Sequence, residues 1–170
     1  GGRDSITLLY DKAETIALAV SFDYGQNHGA KELPFAAHHC RKLGIPHITI
    51  PLSFMHRYFK SSLLDGAEAI PEGHYAEENM KSTVVPFRIM LAIATGIAES
   101  HGLKRVYIAN HGGDHTIYPD CRPDFIQAMD GAATAGTFVN VRIEAPYTNI
   151  TKADIVRRGT ALGIDYSKTW

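Results

Sequence analysis

The chain has 170 residues, 45% of them hydrophobic and 21% charged, proportions that suit one globular domain burying roughly 70% of its unfolded surface. Cys40 and Cys121 show no CxxC spacing, which excludes a disulfide framework and points to a reduced, cytoplasmic protein. A net charge of -1 excludes an overall electrostatic drive toward nucleic acid or an anionic membrane, so a small-molecule substrate is expected. No apolar run approaches the roughly 20 residues that span a bilayer, and GGRDS at the start lacks the basic and apolar regions of a signal peptide.

In chain order, Gly1 and Gly2 open straight into a turn-and-helix pattern, GGRDS followed by ITLL. A strand would normally precede such a turn, so the chain is expected to be trimmed there. Residues 15–22 (TIALAVSF) form a nearly continuous apolar run, read as a strand buried on both faces of a parallel sheet and ended by Asp23-Tyr24-Gly25. Helical spacing follows from Glu32 to Leu43, with Pro34 tolerable only in the first turn and Gly44 placed for a left-handed C-cap. HITIP at 47–51 and RVYIAN at 105–110 read as further strands. Between them, residues 65–83 carry acidic, Gly and Pro residues without periodicity, the composition of a functional lid or mobile loop.

Val84-Val85-Pro86 leads into an apolar helix from Phe87 to His101, ended by Gly102. A helix from Pro123 to about Ala133, a strand from Val139 to Glu144 and a last helix beginning at the N-cap Thr151 complete the pattern. Strands alternating with helices predict an α/β fold with an open, mostly parallel sheet. Ligands of such sheets sit beyond the carboxyl ends of the strands, which selects 1–5, 23–29, 111–122 and 146–152 as the segments to read for chemistry.

GGRDS is either an ordinary tight turn or an anion site. Glycines let backbone N–H groups turn toward a phosphate, the helix dipole adds positive charge, and Ser5 can donate one more hydrogen bond. There is no GK[ST] and no GxGxxG, so neither a P-loop NTPase nor a dinucleotide-binding Rossmann protein is supported. Arg88, after Val85-Pro86, is either a bidentate holder of phosphate or carboxylate or an exposed helix-start arginine. His111-Gly112-Gly113-Asp114-His115 matches no standard zinc spacing. Its glycines suit a close approach of backbone to a flat ligand. Cys121 reads as a small packing residue, Arg3, Arg157 and Arg158 as solvated, and His38-His39 as surface or partly buried histidines.

GGRDS resembles the SGGxDS pyrophosphate loop of the ATP pyrophosphatases, which cleave ATP between its α and β phosphates. SFDYGQ at 21–26, STVVPFR at 82–88, YPDCRPDF at 118–125 and TKADI of the last helix are together similar to the 7-cyano-7-deazaguanine synthases, ligases of queuosine biosynthesis. The resemblance implies a Rossmann-like adenine nucleotide alpha hydrolase fold, a five-stranded sheet whose first strand is missing here, in a single ATP pyrophosphatase domain over 1–170. It implies conversion of 7-carboxy-7-deazaguanine, ammonia and ATP into a nitrile, with Mg²⁺, in a cytoplasmic homodimer without direct nucleic-acid or membrane partners.

The resemblance assigns ATP binding to Gly1, Gly2, Asp4, Ser5, Phe22, Tyr24, Gln26, Arg88 and Lys152, with Asp4, Arg88 and Lys152 catalytic. It assigns the deazapurine to Gly113, Asp114, Tyr118, Asp120 and Arg122, where Asp120 meets the amino groups and Arg122 the carboxylate. Two departures stand out. The family usually has Asn after the arginine, as in PxRN, whereas this chain reads Pro86-Phe87-Arg88-Ile89. The family's structural zinc cysteines would follow Trp170, so no zinc ligand is expected within these residues. The rival readings are another ATP pyrophosphatase, such as a tRNA-thiolating enzyme, and a non-catalytic nucleotide-binding module.

Overall fold

The computed structural model describes residues 1–59, 87–114 and 118–170. The lid expected at 65–83 lies outside them. The described residues form two compact units, 1–59 with 159–170 and 87–114 with 118–158.

In the first unit, helix α1 (Arg3–Asp11) starts directly after Gly2 and buries Ile6, Thr7, Leu8 and Leu9. Strand β1 (Ala19–Asp23) pairs in parallel with β2 (His47–Pro51), from Ala19 opposite His47 to Asp23 opposite Pro51. The connection is helix α2 (Gly29–Leu43), followed after β2 by the short α3 (Phe54–Tyr58). Ile6, Leu9, Cys40, Ile45 and Ile164 make the core, with Tyr10, Ile16 and Tyr166 packed against it.

Two expectations are corrected here. The strand expected over 15–22 begins only at Ala19, because the N–H and hydroxyl of Thr15 both donate to the Lys12 carbonyl, at 2.8 and 2.9 Å, and wind 13–15 into a 3₁₀ turn. Ala19 to Phe22 are half-buried rather than enclosed, and Asp23 is exposed. Helix α2 starts three residues earlier than expected, because the carbonyls of Gln26 and His28 already accept from Gly29, Lys31 and Glu32. Pro34 therefore stands inside the helix and leaves the Ala30 carbonyl without its helical donor. The stop at Gly44 is as expected. Gly44 takes φ +67°, and Ile45 N–H donates to the Cys40 carbonyl at 2.9 Å, a Schellman closure.

In the second unit, α4 (Phe87–Ser100) leads to β3 (Arg105–Tyr107), which pairs in parallel with β4 (Arg142–Glu144). Helix α5 (Pro123–Gly136) joins the two strands, with Pro123 at its first position, where a missing N–H costs nothing. Leu91, Ile108, Ile126, Ala133 and Ile143 form the core of this unit. The strands are shorter than the sequence suggests. Asn140 has φ +53° and Val141 N–H donates to the Thr137 hydroxyl at 2.8 Å, so 137–140 turns and the ladder starts at Arg142. Asp130 fixes α5 against β4: its carboxylate accepts a forked pair from Arg142 and the Ile143 N–H at 2.7 Å.

Helix α6 (Lys152–Ala161) begins after Thr151, as expected from its N-cap. Thr151 N–H donates to the Asp154 carboxylate at 2.9 Å and Asp154 N–H returns to the Thr151 hydroxyl at 3.2 Å, a capping box with Asp in the usual Glu place. The α/β character with parallel strands stands. Among the described residues the ladders are two parallel pairs, β1 with β2 in the first unit and β3 with β4 in the second. No described helix is long and apolar enough to cross a membrane.

Candidate functional site

The phosphate-loop candidates lie in the first unit. A Cβ on Gly1 would collide with the Glu32 carbonyl oxygen and stand 2.9 Å from its carbon, so the loop lies against the backbone of α2 at a distance that only glycine permits. Gly2 differs. Its φ of -67° and ψ of 156° suit any residue, and the nearest atom to an added Cβ is 4.0 Å away. Helix α1 begins at Arg3, and the opening turn of a helix is the end whose N–H groups and dipole favour an anion. Ser5 and Arg3 are exposed, and Asp4 is half-buried in the first turn with one carboxylate oxygen buried.

Beyond the end of β1 an open cleft of about 330 Å³ is lined by Asp23, Gly25, Gln26, Gly29, Ala30, Leu33 and Pro34. Gln26 is 8% exposed and spends both ends of its amide on backbone. Its Nε2 donates to the Phe22 carbonyl at 3.2 Å and its Oε1 accepts from Tyr24 N–H at 3.1 Å. Gln26 thus clamps the strand-ending turn, while Phe22 and Tyr24 stay half-buried. The exposed carboxylate of Asp23, read from sequence only as a strand end, accepts from Gly25 N–H at 3.3 Å and lines this cleft.

The remaining candidates lie in the second unit. Arg88, in the first turn of α4, brings Nη2 to 3.6 Å from Asp120 Oδ2. Asp120 sits in the 3₁₀ turn Pro119–Cys121, closed by Cys121 N–H to the Tyr118 carbonyl, and is 3% exposed. Tyr118 is half-buried at the entrance of this turn, and Arg122 is exposed at the N-cap of α5. His111, 6% exposed, accepts Gly113 N–H on Nδ1 at 3.0 Å. A Cβ on Gly113 would stand 2.9 Å from the His111 ring, which explains glycine there. The Asp114 side chain lies outside the described positions. Lys152 is exposed in the first turn of α6.

Asn110 was not singled out from the sequence. It closes RVYIAN, is 5% exposed, and donates through Nδ2 to the Cys121 carbonyl at 2.9 Å, joining the end of this strand segment to the Asp120 turn. The one available signal was an amide at the carboxyl end of an apolar strand. Among the described residues no three His, Cys, Asp or Glu side chains gather as a zinc site built from protein ligands would require. No described residue is therefore assigned to zinc. Neither cysteine forms a disulfide, and burial pushes the Cys40 thiol pKa up, which suits a packing residue.

The family model described as Queuosine biosynthesis protein QueC matches residues 1–170. The 7-cyano-7-deazaguanine synthase of Porphyromonas gingivalis is 62% identical, over 100% of this chain and 78% of that protein. Its counterpart in Desulfotalea psychrophila is 50% identical, over 100% of this chain and 80% of that protein. Among solved structures, the U34-tRNA thiolase NcsA from Methanococcus maripaludis, with its 4Fe-4S cluster, aligns at a TM-score of 0.55. That alignment covers 98% of this chain and 55% of the thiolase, and at 14% identity it speaks for the fold alone. On the family match over residues 1–170 and the identity to these synthases, the chain belongs to the QueC family of queuosine biosynthesis.

Proposed function

We propose that the chain is the ATP pyrophosphatase domain of a ligase that converts the carboxylate of 7-carboxy-7-deazaguanine into a nitrile, with ammonia as nitrogen donor. A carboxylate is a poor electrophile, so its oxygen first attacks the α-phosphorus of ATP, giving an acyl adenylate and pyrophosphate. Ammonia adds at the activated carbon and displaces AMP, leaving the primary amide and a proton. A second ATP activates the amide oxygen with loss of another pyrophosphate. Expulsion of AMP, with loss of the N–H protons, then leaves the carbon–nitrogen triple bond. Charge accumulates on phosphate oxygens in both rounds, so catalysis is chiefly electrostatic.

In this reading the N–H groups opening α1, together with Ser5, cradle the pyrophosphate, and the cleft beyond β1 with Phe22, Tyr24 and Gln26 borders the nucleotide. Arg88 and Lys152 supply positive charge to phosphates. Gly113, Asp114, Tyr118, Asp120 and Arg122 take the deazapurine. Mg²⁺ commonly binds through one or two carboxylates plus phosphate oxygens. Asp4, with a buried carboxylate oxygen in the first turn of α1, fits that need and would hold it. Bound there, the metal would neutralise phosphate charge. A cytoplasmic homodimer belongs to the same reading and rests on the family alone.

The observation that carries the reading is Gly1 pressed onto α2, with α1 opening two residues later. Together they give a loop shaped for an anion in a family of 7-cyano-7-deazaguanine synthases. The test is pyrophosphate release by the full-length protein with ATP, ammonia and 7-carboxy-7-deazaguanine omitted in turn. Release should require all but ammonia in the first round and continue into a second round only when ammonia is present. Release indifferent to the deazapurine would overturn the proposal and favour another ATP pyrophosphatase. ATP binding without any release would favour a nucleotide-binding module.

A further inference from the structure

Among the described residues of the second unit, two buried acceptor oxygens receive no hydrogen bond. Asn110 is 5% exposed, and its Nδ2 donates to the Cys121 carbonyl at 2.9 Å. A carbonyl oxygen can only accept, so the amide cannot be turned over and Oδ1 must face away from Cys121. That Oδ1 is buried and receives no hydrogen bond. One residue before Cys121, Asp120 Oδ2 is likewise buried without a hydrogen bond. Arg88 Nη2, 3.6 Å away, compensates its charge but is too distant to donate.

Folded chains leave few buried acceptors unpaired. Two of them tied to one three-residue turn, a carboxamide oxygen and a carboxylate oxygen, define the chemistry of what would satisfy them. Both accept and neither donates. A phosphate or carboxylate group would be repelled, whereas an edge with adjacent N–H donors would satisfy both. A 2-aminopyrimidin-4-one ring offers that edge, with its ring N–H beside an exocyclic amino group.

We infer that Asn110 is a specificity-determining residue, whose Oδ1 acts beside Asp120 to read the 2-aminopyrimidinone edge of the substrate. The inference rests on the proposed deazapurine reaction and adds to it the group that selects a guanine-type ring. It also explains a buried asparagine at the end of an apolar strand segment, where an aliphatic residue would pack without an idle oxygen.

The experiment uses the full-length protein with two substrates, 7-carboxy-7-deazaguanine and its analogue lacking the 2-amino group. Wild type should favour the first in kcat/KM by at least about tenfold, the scale of one lost buried hydrogen bond. Asn110→Ala should raise KM for the 2-amino substrate by a similar factor, shift KM for the analogue less than about twofold, and leave KM for ATP unchanged. Equal losses on both substrates, or an unchanged KM, would overturn the role of Asn110. The preference of wild type is read without any variant, so a poorly folding Asn110→Ala does not shield the idea: a wild type indifferent to the 2-amino group overturns it. That result leaves the proposed reaction standing, whereas pyrophosphate release that ignores both deazapurines overturns the reaction and this inference together.

Discussion

The guanidinium of Arg88 stands 3.6 Å from the carboxylate of Asp120, the first more than half exposed and the second almost fully enclosed. The pairing joins the start of α4 to the turn before α5. It also means that two residues chosen from separate motifs, PFR and YPDCRPDF, act as neighbours. Arg88→Met keeps the aliphatic stem and removes the cation beside the buried Asp120 carboxylate. Asp120→Asn keeps the shape and removes the charge. Each change should lower kcat/KM for the deazapurine by at least about tenfold, and the double variant should lose less than the product of the two, as contacting residues do. Strictly multiplicative losses, measured by initial rates of pyrophosphate release, would show that the two side chains act independently.

The phosphate assignment is tested most directly by charge. Asp4→Ala and Lys152→Ala should each reduce turnover by about two orders of magnitude or more, the usual scale for removing a group that positions charge in the transition state. Lys152 is exposed in the first turn of α6, behind a cap made by Thr151 and Asp154, so its removal should leave the melting temperature unchanged. Near-native rates in both variants would withdraw the assignment.

The two opening glycines are predicted to behave differently. Gly1→Ala places a Cβ against the Glu32 carbonyl, and backbone has little room to yield. It should cost about 1–3 kcal/mol, a fall of several degrees in melting temperature, and raise KM for ATP as the loop moves off α2. Gly2→Ala, with an ordinary extended backbone and 4.0 Å of clearance, should melt like wild type. Thermal melts of the two variants side by side decide this, and equal melting would mean that the loop does not depend on its contact with α2.

What the sequence disclosed and what it withheld divide along a physical line. Helix ends at Gly44 and Gly102 and the start at Thr151 were legible, because a left-handed glycine and a capping hydroxyl act within one turn. The shortened β4 was not, since it depends on Asn140 taking a positive φ and on Thr137 intercepting the Val141 N–H. The GGRDS segment could be recognised as a motif. Asn110 could not, because an idle acceptor exists only once the Cys121 carbonyl has fixed its amide and the fold has closed over it. Gln26 shows the reverse case: a motif residue chosen for nucleotide binding has both ends of its amide holding a turn.

The fully buried His39 gives the first unit a dependence on pH. Its Nε2 lies 3.0 Å from the Lys168 carbonyl, which can only accept, so Nε2 carries the proton and Nδ1 accepts from the Tyr10 hydroxyl at 2.9 Å. Both nitrogens are satisfied by a neutral ring, and burial pushes the pKa below its ordinary 6.5, the Lys168 contact opposing this only in part. His47 is shifted in the same direction, chiefly by burial. As pH falls below about 6.5, the unfolded chain takes up protons that the folded chain refuses, so stability must fall with pH in that window and level off above it. Urea midpoints measured from pH 7.5 down to 5 should show this slope. His39→Gln, which keeps a donor and an acceptor but cannot titrate, should flatten it while lowering stability at pH 7.5 by about 1–2 kcal/mol through imperfect packing. A variant that retained the full slope would place its origin in His47 or another group.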